Sequence, residues 1–187
     1  AFTPALCNRI DRNTGGIVIA AKNAEALRIL NQKIRDREIG KFYLAVLHGR
    51  MSPPAGKLEG FLLKDEAKKQ VTVHARPVPG GRTAATLYRT LRVSGGLSLV
   101  ECELLTGRTH QIRAQFAAAG HPLLGDGKYG RERDNKRYGR SFQALYSYKL
   151  TFTFPTSAGA LEYLRGRTFT VDRVDFVEEY FGAPPRG

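Results

Sequence analysis

The chain has 187 residues, 42% of them hydrophobic, and carries 30 lysines and arginines against 17 aspartates and glutamates, a net charge of +13 at pH 7. The apolar share excludes a disordered chain, the length suffices for one buried core, and no apolar run nears the roughly 20 residues needed to span a bilayer. The positive excess points to a polyanionic partner, the alternative being a basic surface that is merely solvated.

In chain order, Ile17-Val18-Ile19-Ala20-Ala21 follows Gly15-Gly16 as a short β-branched run and predicts a buried strand over 17–21. Asn23 can cap a helix running through Glu38, with Leu27, Leu30 and Ile34 as its apolar stripe, Arg28, Lys33, Arg35 and Arg37 off that stripe, and Gly40 as its stop. A second strand is expected over 41–47, and antiparallel β-structure over 56–92, with candidates at 69–75 and 84–93 joined by the loop signal Pro77-Val78-Pro79-Gly80-Gly81. Gly95-Gly96 turns the chain into a strand over 97–105. A helix then follows Thr109 to about Gly120, with Ile112 and Phe116 one turn apart on its inner face. The stretch 131–140 is charged and reads as a solvated loop. Strands are expected over 144–154 and, broken at Gly166, over 161–171, and Asp172 can cap a last short helix containing Val174, Phe176, Val177 and Phe181. Strands with interspersed helices make an α+β domain, and 1–187 reads as one unit.

Cys7 and Cys102 lack the spacing of a disulfide framework or zinc site, which fits a reducing cytoplasm, and no secretory signal opens the chain. His48, His74, His110 and His121 form no metal-ligand spacing, so neither a metal nor another cofactor is expected.

Chemistry concentrates in two segments about a hundred residues apart. Asn8-Arg9-Ile10-Asp11-Arg12-Asn13-Thr14-Gly15-Gly16 sets one carboxylate among arginines; Thr106-Gly107-Arg108-Thr109-His110-Gln111-Ile112-Arg113 places arginines at a turn and on the helix after it. A carboxylate beside fixed guanidinium groups stays ionised and oriented, which suits a nucleophile. The alternative for Asp11 is a turn carboxylate that caps Asn13-Thr14 or pairs with Arg12. No second carboxylate cluster for metals and no nucleophilic triad accompanies it, which disfavours a nucleic-acid hydrolase.

Together with Lys41-Phe42-Tyr43-Leu44-Ala45 and Gly120-His121-Pro122-Leu123-Leu124-Gly125-Asp126 followed by Lys128-Tyr129-Gly130, these segments resemble the signature of the RluA-type pseudouridine synthases, which isomerise uridine in RNA. The resemblance runs from Pro4 to about Phe154. Asn8 stands where that family has His, and Ala144-Leu145-Tyr146-Ser147 where it has Leu-His-Ala. It implies a pseudouridine synthase catalytic fold with a largely antiparallel central sheet and flanking helices. It further implies Asp11 as nucleophile, Tyr43 stacked on the target base with its phenol near the C5 proton, and Arg113 paired with Asp11. Arg9 is then the residue that enters the RNA as the base is flipped. The alternatives are a core tyrosine for Tyr43, a surface ion pair for Arg113 and a simple salt bridge for Arg9. Arg108, His110 and Gln111 are candidates for backbone contact or for shaping the turn. Leu123 to Gly130 reads as mainly architectural, with Lys128 at the RNA; Arg131, Arg133, Lys136, Arg137 and Arg140 are candidate phosphate contacts.

The expected partner is structured RNA, ribosomal RNA first, with no membrane and no metal. The family's catalytic domain normally begins some tens of residues earlier, so the chain reads as a piece of a longer protein that lacks an N-terminal, RNA-binding portion. The rival reading is a non-catalytic RNA-binding or ribosome-assembly module with the same fold.

Overall fold

The computed structural model describes residues 1–182. Its N-terminal segment holds β1 (Ala5–Leu6), β2 (Gly15–Gly16) and β3 (Ala20–Ala21) in place of the strand expected over 17–21. The physical reason is that this segment serves two sheets. β1 pairs antiparallel with β3, and the Cys7 N–H donates to the Ile19 carbonyl at 2.8 Å. Two residues earlier, the Ile17 N–H donates to the Ser147 carbonyl at 2.9 Å, so the chain changes partner before a regular ladder can form.

Helix α1 (Ala24–Arg35) begins as expected, the Asn23 side chain accepting from the Ala26 N–H at 2.8 Å. It stops earlier than expected. Asp36 and Glu38 donate backward to the Gln32 and Lys33 carbonyls, Arg37 takes a left-handed φ of 58°, and Gly40 lies within the next strand. Lys33 does not lie off the buried stripe: it is 3% exposed, and its ammonium donates to Glu38 at 3.0 Å and to the Thr156 carbonyl at 2.9 Å. Burial of a cation is tolerated because its donors are met.

Strand β4 (Ile39–His48) is the centre of the molecule. Tyr43, Ala45 and Leu47 pack with Ile112 and Phe116, whereas Leu44 and Val46 pack with Leu97, Leu99 and Phe176. Both faces are covered, which explains why this segment is a continuous apolar run and does not alternate. The remaining strands are β5 (Ala55–Asp65), β6 (Gln70–His74), β7 (Arg82–Ser94), β8 (Leu97–Leu104), β9 (Leu145–Phe152) and β10 (Arg167–Thr170). The sheet order is β10-β9-β4-β8-β7-β5-β6, antiparallel throughout, with β2 added parallel to β9. The expected α+β architecture around a largely antiparallel sheet is the one observed.

Helix α2 (Gln111–Ala118) covers one face with Ile112 and Phe116 buried, as expected. The charged stretch 131–140 is not a loop but contains helix α3 (Glu132–Tyr138), ending at Gly139 with φ 64°. Its anchor is the buried Asn135, which accepts from the Gly125 N–H at 2.8 Å and donates to the Asp126 carbonyl at 3.0 Å. The strand expected over 161–171 is a 3-10 helix (Gly159–Leu164) followed by β10. Helix α4 (Asp175–Phe181) has Val174 at its N-cap, so Asp172 does not cap it. Among the described residues no helix is long and apolar enough to cross a membrane.

Candidate active site

The loop between β1 and β2 carries Asp11. It closes on itself through the Thr14 N–H, which donates to the Asp11 carbonyl at 3.0 Å, with Asn13 at φ 65°. Two features hold it to the sheet. Gly16, at φ 120°, passes so close to β9 that a Cβ there would lie 2.2 Å from the Ser147 carbonyl oxygen. The buried Gln143 donates its amide to the Arg12 carbonyl at 2.7 Å and to the Thr14 hydroxyl at 3.1 Å. Gln143 was not singled out in the sequence; its one signal is an amide beside the apolar Ala144-Leu145 pair. Ile10 packs against the central core, which fixes the loop from below.

Asp11 and Tyr43 line one cavity of about 320 Å³, together with Arg9, Arg108, Lys41 and the buried Gln111. The carboxylate of Asp11 takes no hydrogen bond or ion pair from any described residue, and neither does the exposed guanidinium of Arg9. Neither the turn-carboxylate nor the salt-bridge alternative is therefore found among the described residues. Tyr43 is 6% exposed in β4. Burial pushes its phenol up to about 12; the Ser147 hydroxyl opposes this and the charge of Asp11 adds to it.

Arg113 is held differently from the expectation. Its Nε and Nη2 donate to the two carboxylate oxygens of Asp126 at 2.7 and 3.0 Å, a buried two-pronged pair, and it makes no ion pair with Asp11. One edge of the guanidinium, Nε and Nη2, is taken by Asp126. Burial alone would lower the basicity of Arg113, but the Asp126 bonds and the charges of Asp126 and Asp11 raise it above the ordinary value. Asp11 is thus near enough for its charge to act. Arg113 also stacks over Tyr129 at 5.2 Å, and it lines a second, neighbouring cavity of about 470 Å³ with Lys128 and Phe142.

Of the two roles expected for Gln111, the turn-shaping one is observed. Its Oε1 accepts from the Thr106 hydroxyl at 2.7 Å and the Arg108 N–H at 3.0 Å, while its Nε2 donates to the Ala85 carbonyl and the Thr86 hydroxyl. His110, in a left-handed conformation at φ 54°, shares a 2.7 Å hydrogen bond with the Tyr129 hydroxyl. Burial lowers its pKa against the opposing charge of Asp11. Arg108 donates to the Thr83 carbonyl at 2.8 Å, and Lys128 to the Lys69 carbonyl at 2.8 Å. Arg131, Arg133, Lys136 and Arg137 are exposed on or beside α3, Lys136 pairing with Glu132 at 2.9 Å, and none of the four lines the Asp11 cavity. Among the described residues no three His, Cys, Asp or Glu side chains gather as a metal-ligand set.

The chain is similar to known proteins. A family profile described as RNA pseudouridylate synthase matches residues 1–118. An uncharacterized RNA pseudouridine synthase of Chloroflexus aurantiacus is 35% identical over 154 residues, which cover 82% of this chain and 47% of that protein. The ribosomal large subunit pseudouridine synthase C of Vibrio cholerae is 34% identical over 160 residues, covering 84% of this chain and 50% of that protein. The chain therefore spans about half the length of the curated relatives it matches. The human RNA pseudouridylate synthase domain containing 4 shares its fold, with a TM-score of 0.73 at 22% identity over 92% of this chain and 72% of that one. From the Asp11 loop and the Tyr43 strand to the sheet they stand on, the conclusion is one of kinship: the chain belongs to the RNA pseudouridylate synthase family.

Proposed function

We propose that this chain isomerises uridine to pseudouridine in structured RNA, ribosomal RNA first, with Asp11 as the nucleophile. The observation that carries the reading is that Asp11, whose carboxylate has no partner among the described residues, lines one cavity with Tyr43, Arg9 and Arg108. The bond from uracil N1 to ribose C1′ breaks, the base rotates, and C5 bonds to C1′ in its place. The C5 proton leaves and N1 gains one, so the atoms balance without redox chemistry. A carboxylate serves this reaction by adding to the uracil ring or by trapping the sugar at C1′. Tyr43 supplies the wall on which the base stacks, and burial keeps its phenol protonated at neutral pH. Arg9, exposed at the cavity rim, is placed to fill the space the flipped base vacates. Asp126 positions Arg113, whose charge acts on Asp11.

Cytoplasmic work is part of this reading, supported by Cys7 and Cys102, which are both free thiols. The rival, an RNA-binding module with the same fold, is separated by RNA carrying tritium at uridine C5. Isomerisation must release that label to solvent, and binding need not. Binding without tritium release, across RNAs that include the large ribosomal subunit's, would overturn the proposal.

A further inference from the structure

Beside the Asp11 cavity lies another of about 310 Å³, and the two share Lys41, Gly107 and Arg108 as a common wall. Its lining adds Arg35 and Arg37, so four cations face one space and no carboxylate lines it. Two details point to a ligand from outside the chain. The Lys41 ammonium has no hydrogen-bond or ion-pair partner among the described residues, although burial disfavours its charge. Arg37 sits in the left-handed turn that ends α1, at φ 58°. It lies close enough to Arg108 for its charge, after burial and with that of Arg82, to lower the basicity of Arg108. Like charges gathered without a counterion are unfavourable unless an anion joins them.

Gly107 adds an independent point. Its φ is not positive, so backbone conformation does not require glycine there. Space is tight: a Cβ at this position would lie 3.0 Å from the Lys41 Nζ, the end of a flexible side chain. The turn thus leaves a seat for the ammonium at the boundary between the two cavities.

We propose that this cavity of about 310 Å³ binds the phosphodiester adjoining the target uridine, fixing the RNA backbone through Lys41, Arg37 and Arg108 while the base enters beside Asp11. This rests on reading the Asp11 cavity as the uridine site. A phosphate fits because its oxygens accept from an ammonium and from guanidinium forks together, whereas nothing apolar gains from four converging cations.

The test titrates the folded chain, followed by NMR, with uridine, uridine 5′-monophosphate, uridine 3′-monophosphate and inorganic phosphate. One of the monophosphates is expected to bind at least about tenfold tighter than uridine, as charge-assisted hydrogen bonds allow. Inorganic phosphate, lacking the base, should bind more weakly than that nucleotide. In Arg35→Gln/Arg37→Gln, both outside the Asp11 cavity, the phosphate advantage should fall while uridine affinity stays within about twofold. Gly107→Ala, which displaces only the end of a flexible side chain, should shrink the advantage without unfolding the protein. A monophosphate no better than uridine, inorganic phosphate as tight as the nucleotide, or an advantage undiminished in the folded double variant would overturn the proposal. Failure of the uridine reading would show separately, as absent tritium release by the unsubstituted chain.

Discussion

Asp11 and Asp126 are carboxylates with opposite surroundings, and the site depends on the contrast. Asp126 is fully buried and accepts from Arg113 Nε and Nη2 and from the Lys128 and Tyr129 N–H groups, both at 2.9 Å. Burial alone would raise its pKa, but these donors outweigh it and hold the carboxyl below the usual range. A depressed folded pKa adds stability above the unfolded value of about 3.9, lost as pH falls through the folded one. Asp126→Ala, which strands Arg113, is expected to lower stability by about 3–5 kcal/mol in urea unfolding at neutral pH. The gap between wild type and Asp126→Asn should shrink as pH drops below about 4. Arg113→Lys cannot satisfy both carboxylate oxygens and should reduce turnover more than RNA affinity. Tyr43 offers a second test. Its raised pKa, about 12, favours folding below the unfolded value and is lost as pH rises toward the folded one. An ultraviolet titration compared between wild type and Tyr43→Phe should show no Tyr43 phenolate below about pH 10. Tyr43→Phe keeps the stacking face, so RNA binding should persist with slowed turnover, whereas Tyr43→Ala should damage both.

At the scale of elements, what was legible in the sequence was what is decided locally. The Asn23 cap, the doubly buried 41–47 run and the Ile112–Phe116 face each follow from a short pattern, and each is observed. The misses come from tertiary partners. The 17–21 run divides between β1 and β9, and helix α3 gains its anchor from Asn135, one buried amide in a charged stretch. The site divides the same way. Asp11, Tyr43, Arg9 and Arg108 converge as the motifs imply, but the Arg113–Asp126 pair and the Gln143 brace depend on contacts that spacing does not reveal. Gln143 belongs to the run that leads into β9, 132 residues after Asp11 along the chain. Because it holds the loop and does not line the Asp11 cavity, Gln143→Ala should lower kcat by about tenfold or more, as misplacement of a reacting group does, with little change in KM. Unchanged kcat in the folded variant would show that the loop holds its shape without this amide.

For the whole molecule, a net charge of +13 and the exposed cations on α3 make affinity an electrostatic quantity. The logarithm of the RNA association constant should fall linearly with log salt, by about 0.7 per phosphate contact in single strands and about 0.9 in a B-DNA-like duplex. Flat affinity between low and moderate salt would contradict a polyanionic ligand. Charge and fold together support the proposed binding; the proposal that binding leads to isomerisation rests on one carboxylate. The direct measurement is tritium release from RNA labelled at uridine C5, comparing the unsubstituted chain with Asp11→Asn at matched RNA occupancy. The unsubstituted chain is expected to release label and Asp11→Asn to bind the same RNA and release none. Substantial release by Asp11→Asn, in a preparation free of wild-type enzyme, would contradict the assignment of Asp11 as nucleophile.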